Sequence, residues 1–198
     1  MNKSRTFSLN NVVKVGILAA LAYLLMFIQV PIPVAPPFMK VDLADVPALI
    51  GGFAMGPVVG VLVQLIKNIL NLTKTSTVGV GELSNFIVGS VFVLVSSIIY
   101  QRKKDKKTAI FSLVCGVIAM AAVATISNAF VVFPAYSKAM GIPLEAFVEQ
   151  TKQTNGLVNS YTGLMILSIV PFNLIKGAIA SFVTDLVYKR VSPILKFR

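Results

Sequence analysis

The chain has 198 residues, of which 56% are hydrophobic and 13% are charged. A soluble domain of this length could not bury so much apolar surface, and the absence of strand-like alternation excludes an outer-membrane barrel. The net charge of +11 comes mainly from short basic runs at the ends of apolar segments, with no soluble domain to carry them, which argues against nucleic-acid binding and for topology signals. We therefore predict one all-α domain over residues 1–198, a polytopic helical bundle in lipid.

Six apolar segments are predicted to be transmembrane helices. The first covers 11–30 and ends at a Pro-rich tract, because proline lacks the N–H donor that a helix needs. The second is short and Gly-rich, and the Gly56-Pro57 turn separates it from the third. The five later spans are 45–55, 58–72, 82–100, 108–133 and 161–188. Residues 134–160 read as a polar connection with a short surface helix over 143–154.

The basic residues predict the orientation of these spans. Six spans put both termini and the loop after the fourth span on one face. That face carries twelve basic residues: Lys3, Arg5, Lys14, Arg102, Lys103, Lys104, Lys106, Lys107, Lys189, Arg190, Lys196 and Arg198. The other face carries four: Lys40, Lys74, Lys138 and Lys152. By the positive-inside rule, both termini of this cell-membrane protein are expected to be cytoplasmic.

Several polar side chains lie inside the apolar segments and gather toward the outer face: Lys67, Asn68, Glu82, Asn128, Asn173 and Lys176. A charge at membrane depth costs roughly 2.5–3.5 kcal/mol, so it indicates a functional site with a partner. Plainer roles stay open for most of the set. Lys67 could snorkel to the interface, Asn128 could bond another helix, and Glu82 could be favoured by the helix dipole. For Lys176, ligand binding or a buried ion pair is expected, and Asp185 is expected to pair with Lys189.

The chemistry of this set suits binding better than catalysis. It offers amide and ammonium donors, one carboxylate and nearby aromatic rings, which fits a planar heteroaromatic ligand. The rings are Phe38, Phe86, Phe130 and Phe172. The chain has no histidine, a single cysteine, no acidic cluster for a metal and no nucleotide-binding phosphate loop. We therefore expect no enzyme activity, no metal and no prosthetic group.

Five strings carry a resemblance to a known family. They are PIPVAPPFMKVDLADVP at 31–47, Lys67-Asn68, GELSNF at 81–86, Asn128, and PFNLIKG at 171–177. On these strings, and over nearly its whole length, the chain resembles the RibU proteins, the riboflavin-binding S components of bacterial energy-coupling factor (ECF) transporters. The resemblance implies six helices, with riboflavin as transported ligand held near the outer face.

The resemblance also implies site residues and partners. Asn128, Asn173 and Lys176 would hydrogen-bond the flavin, with Glu82 at the ribityl chain or ring edge. Residues 38–41 and 78–81 would line or cover the pocket, which adds Met39, Lys40, Val41, Val78, Gly79 and Gly81. The implied partners, besides membrane lipid, are a transmembrane coupling protein and two ATPases. The small-residue surface for docking appears here at Gly16 and Ala20.

Two other functions remain open from the sequence. The chain could be an S component for a different vitamin, or a small membrane protein without a transport function, such as an adaptor. A different S component would not need the Asn173 and Lys176 pair. An adaptor would leave Lys176 as an unexplained energetic cost.

Overall fold

The structure is a computed structural model and describes residues 9–196. Over that part of the chain it is a helical bundle with one two-stranded ribbon, β1 (Val30–Pro31) and β2 (Lys40–Val41). The helices are α1 (Leu9–Leu25), α2 (Asp45–Met55), α3 (Pro57–Asn71), α4 (Val80–Arg102), α5 (Lys106–Ser127), α6 (Phe133–Met140), α7 (Leu144–Thr154), α8 (Tyr161–Leu164) and α9 (Val170–Lys196). A 3₁₀ turn, Leu72–Lys74, follows α3.

Two π-helical turns join helices into longer rods. Asn128–Val132 connects α5 to α6, and Met165–Ile169 connects α8 to α9. The joined rods, Lys106–Met140 and Tyr161–Val191, and helix α4 are long and apolar enough to cross a membrane. Within the described residues, α1 and α2 are shorter apolar helices. The prediction of an all-α membrane bundle is confirmed, and the count of six spans stays a prediction.

Three helix ends differ clearly from the predicted ones, and the first of them is the end of α9, which continues to Lys196 rather than ending at residue 188. Helix α1 ends at Leu25 rather than at residue 30, because the chain leaves the helix to form the ribbon, with Val30 opposite Val41 and Pro31 opposite Lys40. The fifth span does not end at residue 133. It continues to Met140, because the π turn accommodates Pro134, and Gly141 with φ of 65° then ends the helix. The predicted surface helix over 143–154 is confirmed as α7.

One end of the bundle is closed by tight packing. A Cβ atom at Gly52 would collide with Ser97, and one at Gly116 would collide with Ser96, so α4 packs directly against the backbones of α2 and α5. Three aromatic rings fill the space between the helices at this end. Phe53 stacks on Tyr100 at a centroid distance of 4.3 Å, and Tyr188 packs edge-on against both at 5.5 and 5.6 Å. We call this the closed end.

Candidate ligand-binding site

The opposite end of the bundle contains a cavity of about 330 Å³. It lies among the ribbon loop, the start of α4, the π turn after α5 and the start of α9. Seven of the ten residues predicted from the sequence line it: Met39, Lys40, Gly81, Glu82, Asn128, Asn173 and Lys176. The other three do not. Val41 is buried against Ala35 and Phe172, Val78 is 67% exposed, and Gly79 caps α4 with φ of 83°.

Glu82 is fixed in the first turn of α4 by three donors. Asn71 Nδ2 donates to one carboxylate oxygen at 3.0 Å, and the hydroxyls of Thr75 and Thr77 donate to the other at 2.9 Å. Its place in the first turn is favoured by the helix dipole, as one of the alternatives expected, and its hydrogen bonds come from the end of α3 and from the loop after it. This arrangement fixes its position at the cavity wall.

Lys67 does not snorkel to the membrane interface. Its ammonium nitrogen lies 2.7 Å from Asp45 Oδ1, and both side chains are fully buried. Gln64, one turn earlier on α3, donates to the same Asp45 oxygen at 2.8 Å. The snorkelling interpretation is therefore wrong. The physical reason is that Asp45, at the start of α2, supplies a buried counter-charge that the sequence analysis did not consider.

Lys176 also has carboxylate partners. Its ammonium nitrogen lies 3.5 Å from Asp42 Oδ2 and 3.7 Å from Asp45 Oδ2. It also lies 3.5 Å from the side-chain oxygen of Asn85. The expectation of a single carboxylate in this set is corrected to three, since Asp42 and Asp45 join Glu82 as buried acids. Their signal in the sequence was two aspartates three positions apart at the entrance to a short apolar helix.

The two asparagines are held by their own helices. Asn128 Nδ2 donates to Ala124 O at 2.7 Å, and Asn173 Nδ2 donates to Ile169 O at 2.8 Å. Each amide thus retains a second N–H and its oxygen for other partners. In the described part of the chain, neither side chain bonds another helix, so the interhelical role considered for Asn128 is not seen. Asn128 begins the π turn, whose Ala129 carbonyl accepts from the Tyr161 hydroxyl at 2.7 Å.

Aromatic side chains close the cavity from outside. Phe38, which lines it, packs against Tyr136 at 5.6 Å, against Phe147 at 5.9 Å and against Phe133 at 6.2 Å. Phe172 lines the cavity as predicted. Phe86 does not, and Phe130 is 78% exposed because the π turn directs it away. Tyr136 is a lining ring that the sequence analysis missed.

The long connection at 134–160 contacts the Pro-rich loop beside the cavity. Its helix α7 supplies Phe147, which is buried against the ring of Phe38. Asn155 Nδ2, at the end of that helix, lies 3.4 Å from the carbonyl of Val34, which also accepts from the Ser168 hydroxyl at 2.5 Å. The connection therefore holds the Pro-rich loop over the cavity.

Residues 10–188 match the family model described as "ECF transporter, substrate-specific component". The chain belongs to this family. It is 34% identical over 184 residues to the riboflavin transporter RibU of Staphylococcus aureus (strain TCH60), with 93% of this chain and 91% of the relative covered. It is 32% identical to the riboflavin transporter FmnP of Bacillus subtilis (strain 168), with 91% of each covered.

A solved structure, reported as the S component of a bacterial ECF transporter, has the same fold. Its TM-score is 0.73 at 35% identity, over 94% of this chain and 97% of that one. The resemblance seen in the sequence is thus confirmed. The chain is a transporter component rather than an enzyme, and it is a multi-pass membrane protein.

The small-residue surface of this S component is open in the structure. Gly16 and Ala20 are both exposed on α1, and a Cβ atom built on Gly16 meets nothing within 4 Å. Large apolar neighbours on the same helix are exposed as well, among them Ile17 and Leu24. This face of α1 is free in the isolated chain, and its role in docking stays a prediction.

Asp185 makes no ion pair with Lys189 among the described side chains, so that sequence-based expectation is wrong. Asp185 instead borders an apolar groove between α5 and α9, together with Ser181 and Phe182. The groove lies away from the cavity and shares no lining residue with it.

Proposed function

We propose that this S component binds riboflavin in the cavity and presents it for ATP-driven uptake by partner subunits. One observation carries the proposal. Asn128, Asn173 and Lys176 come from two different rods, and all three line the same cavity as Phe38 and Phe172. The names of the relatives at 34% and 32% identity support the same ligand.

The donors match the edge chemistry of a flavin ring. The isoalloxazine presents carbonyl oxygens and ring nitrogens in one plane. Amide side chains can both donate to and accept from such an edge, and an ammonium group can donate to it. Glu82 would accept from the ribityl chain or the ring edge, while Met39, Lys40 and Gly81 would line the pocket around the ligand. A stacked ring with a few directed bonds is the usual arrangement of a small-molecule site.

A fluorescence titration tests the ligand. The fluorescence of riboflavin should be quenched when the vitamin binds to the purified protein, and the quenching should saturate near one flavin per chain. Thiamine and biotin serve as competitors. If either binds tightly while riboflavin does not, the chain is an S component for another vitamin. If none of these ligands binds, the non-transport alternative is favoured.

We further propose that both termini are cytoplasmic and that the cavity opens outward. Lys106, Lys107, Lys189 and Arg190 belong to the closed end, whereas the four basic residues expected outside lie on elements at the cavity end. Lys3, Arg5 and Arg198 lie outside the described residues. In a Cys115→Ser background, a cysteine at Lys152 should react with an impermeant reagent in whole cells, and one at Lys104 should not. The reverse labelling would place the cavity on the cytoplasmic side and exclude uptake.

The partners that we propose are a transmembrane coupling protein and two ATPases, because the sequence has no nucleotide-binding loop of its own. Gly16 and Ala20 form the candidate docking face. Replacing both with leucine should leave riboflavin binding intact and abolish uptake. Retained uptake in that variant would exclude this face, and accumulation without ATP would contradict the coupling.

A further inference from the structure

Behind the cavity, four buried charges form a neutral cluster. Asp42 and Asp45 provide two negative charges, and Lys67 and Lys176 provide two positive charges. Each of the four side chains is at most 8% exposed. Only Asp42 and Lys176 line the cavity, while Asp45 and Lys67 lie behind them. The cluster thus joins the ribbon loop, α2, α3 and α9 at a depth where an unbalanced charge is costly.

The two ion pairs of Asp45 differ in length. The Asp45–Lys67 pair is short at 2.7 Å, which is the distance of a charge-assisted hydrogen bond. Lys176 lies farther away, at 3.7 Å from Asp45 and 3.5 Å from Asp42. The second oxygen of Asp45 accepts no hydrogen bond from the described residues. The Lys176 ammonium therefore lies between two acids and the side-chain oxygen of Asn85, which is also 3.5 Å away, and has a short bond to none of them. This arrangement keeps the ammonium group at the cavity wall.

From this geometry we infer that Asp45 and Lys67 are positioning residues, which set the place of Lys176 and thereby the affinity for the ligand. This inference rests on the proposed riboflavin function and deepens it. Lys67 occupies one oxygen of Asp45 and prevents that acid from drawing Lys176 fully toward α2. Asp45 in turn keeps Lys67 from competing with Lys176 for Asp42. Because the two carboxylates and the two ammonium groups balance in charge, Lys176 stays directed to the ligand.

The inference predicts a pattern for single and paired substitutions. Asp45→Asn leaves two lysines facing Asp42, and Lys67→Met leaves two acids facing Lys176. Either change should weaken riboflavin binding by about tenfold or more, because each moves the ammonium group from its place. The double variant Asp45→Asn/Lys67→Met restores the charge balance and should bind within about threefold of the wild type.

A double-mutant cycle separates positioning from general stability. If Asp45 acts through Lys176, then Asp45→Asn should change the affinity of a Lys176→Met protein by less than about threefold. A purely structural role would reduce the affinity equally in both backgrounds. Lys103 and Asp105 provide a matched control, since they form an exposed ion pair at 3.0 Å in the loop at the closed end. Lys103→Met and Asp105→Asn should not alter riboflavin affinity.

The experiment is a riboflavin titration of all these variants, with thermal unfolding followed in parallel. We expect weaker riboflavin binding in both single variants and near-wild-type affinity in the double variant. In the Lys176→Met background, Asp45→Asn is expected to leave the affinity nearly unchanged. Wild-type affinity in both single variants would overturn the inference. A double variant that binds riboflavin weakly or does not fold would overturn it too. So would an Asp45→Asn change that lowers riboflavin affinity as much in the Lys176→Met background as in the wild type. Failure of the wild type to bind riboflavin would instead refute the proposed function, and the inference with it.

Discussion

The cavity end and the closed end of this bundle are built from the same helices but packed by different means. At the closed end, glycines let α2, α4 and α5 approach closely, and Phe53, Tyr100 and Tyr188 fill the remaining space. At the cavity end, both rods contain a π turn, and buried charges and amides take the place of apolar side chains. The closed end therefore contributes stability, and the cavity end carries the polar groups that we propose to bind the ligand.

The difference has an energetic consequence. At the closed end, a substitution that adds volume to the close packing lowers the free energy of unfolding. The stability from this packing does not depend on any ligand. The polar groups of the cavity end stabilise the empty protein only through the hydrogen bonds and ion pairs that they form with one another. Substitutions at the two ends should therefore separate affinity from stability.

The largest effect is expected at Lys176. Lys176→Met keeps the apolar stem and removes a charged donor to the flavin, a bond worth roughly 1.5–3 kcal/mol, so riboflavin affinity should fall about 10- to 100-fold. The empty protein should also be less stable, because Asp42 would lose its ion pair with Lys176 and, among the described residues, keep the Ala44 N–H at 2.9 Å as its donor. Flavin titration and thermal unfolding measure the two effects, with Lys103→Met as the control; unchanged affinity would remove Lys176 from the site.

A smaller effect, on stability alone, is expected at Gly116. Gly116→Ala forces a methyl group toward Ser96 and Phe92, and overpacking of this kind costs typically about 1–3 kcal/mol. Riboflavin affinity of the folded protein should be unchanged, because Gly116 does not line the cavity. Gly16→Ala, on an open helix face, is the matched control for the unfolding measurement. If Gly116→Ala weakened binding as strongly as Lys176→Met, the separation of the two ends would be wrong.

The smallest effect is expected at Tyr161. Tyr161→Phe removes the hydrogen bond to Ala129 O, with a net loss of stability of about 0.5–1.5 kcal/mol. Since that bond steadies the π turn beginning at Asn128, riboflavin binding should weaken as well. Tyr23→Phe is the control, because no hydrogen bond of the Tyr23 hydroxyl is seen among the described residues. Equal behaviour of the two variants would show that the π turn does not depend on Tyr161.

The sequence predicted the elements of this fold better than the partners of its charges. Apolar length and the Pro-rich tract were enough to identify the bundle and the end of its first helix near the tract, and the polar connection at 134–160 was correctly predicted to contain the surface helix α7. The π turn at Asn128–Val132 was not predicted, because no local pattern in the sequence reports it, and neither was the bond of its Ala129 carbonyl to the distant hydroxyl of Tyr161. The predicted end at residue 133 was wrong because the π turn lets the helix continue through Pro134.

At the site, helical spacing correctly placed Asn173 and Lys176 on one cavity. Their acidic partners were missed because Asp42 and Asp45 reach them only through the turn between the ribbon and α2. A contact between residues 42 and 176 comes from tertiary packing, and no local pattern in the sequence reports it.

A structure of the protein with riboflavin bound tests the central claim most directly. The isoalloxazine ring should occupy the cavity beside Phe38 and Phe172, with Asn128, Asn173 and Lys176 within hydrogen-bonding distance of its edge. A flavin in the apolar groove between α5 and α9, or one in the cavity that touches none of those three side chains, would contradict it.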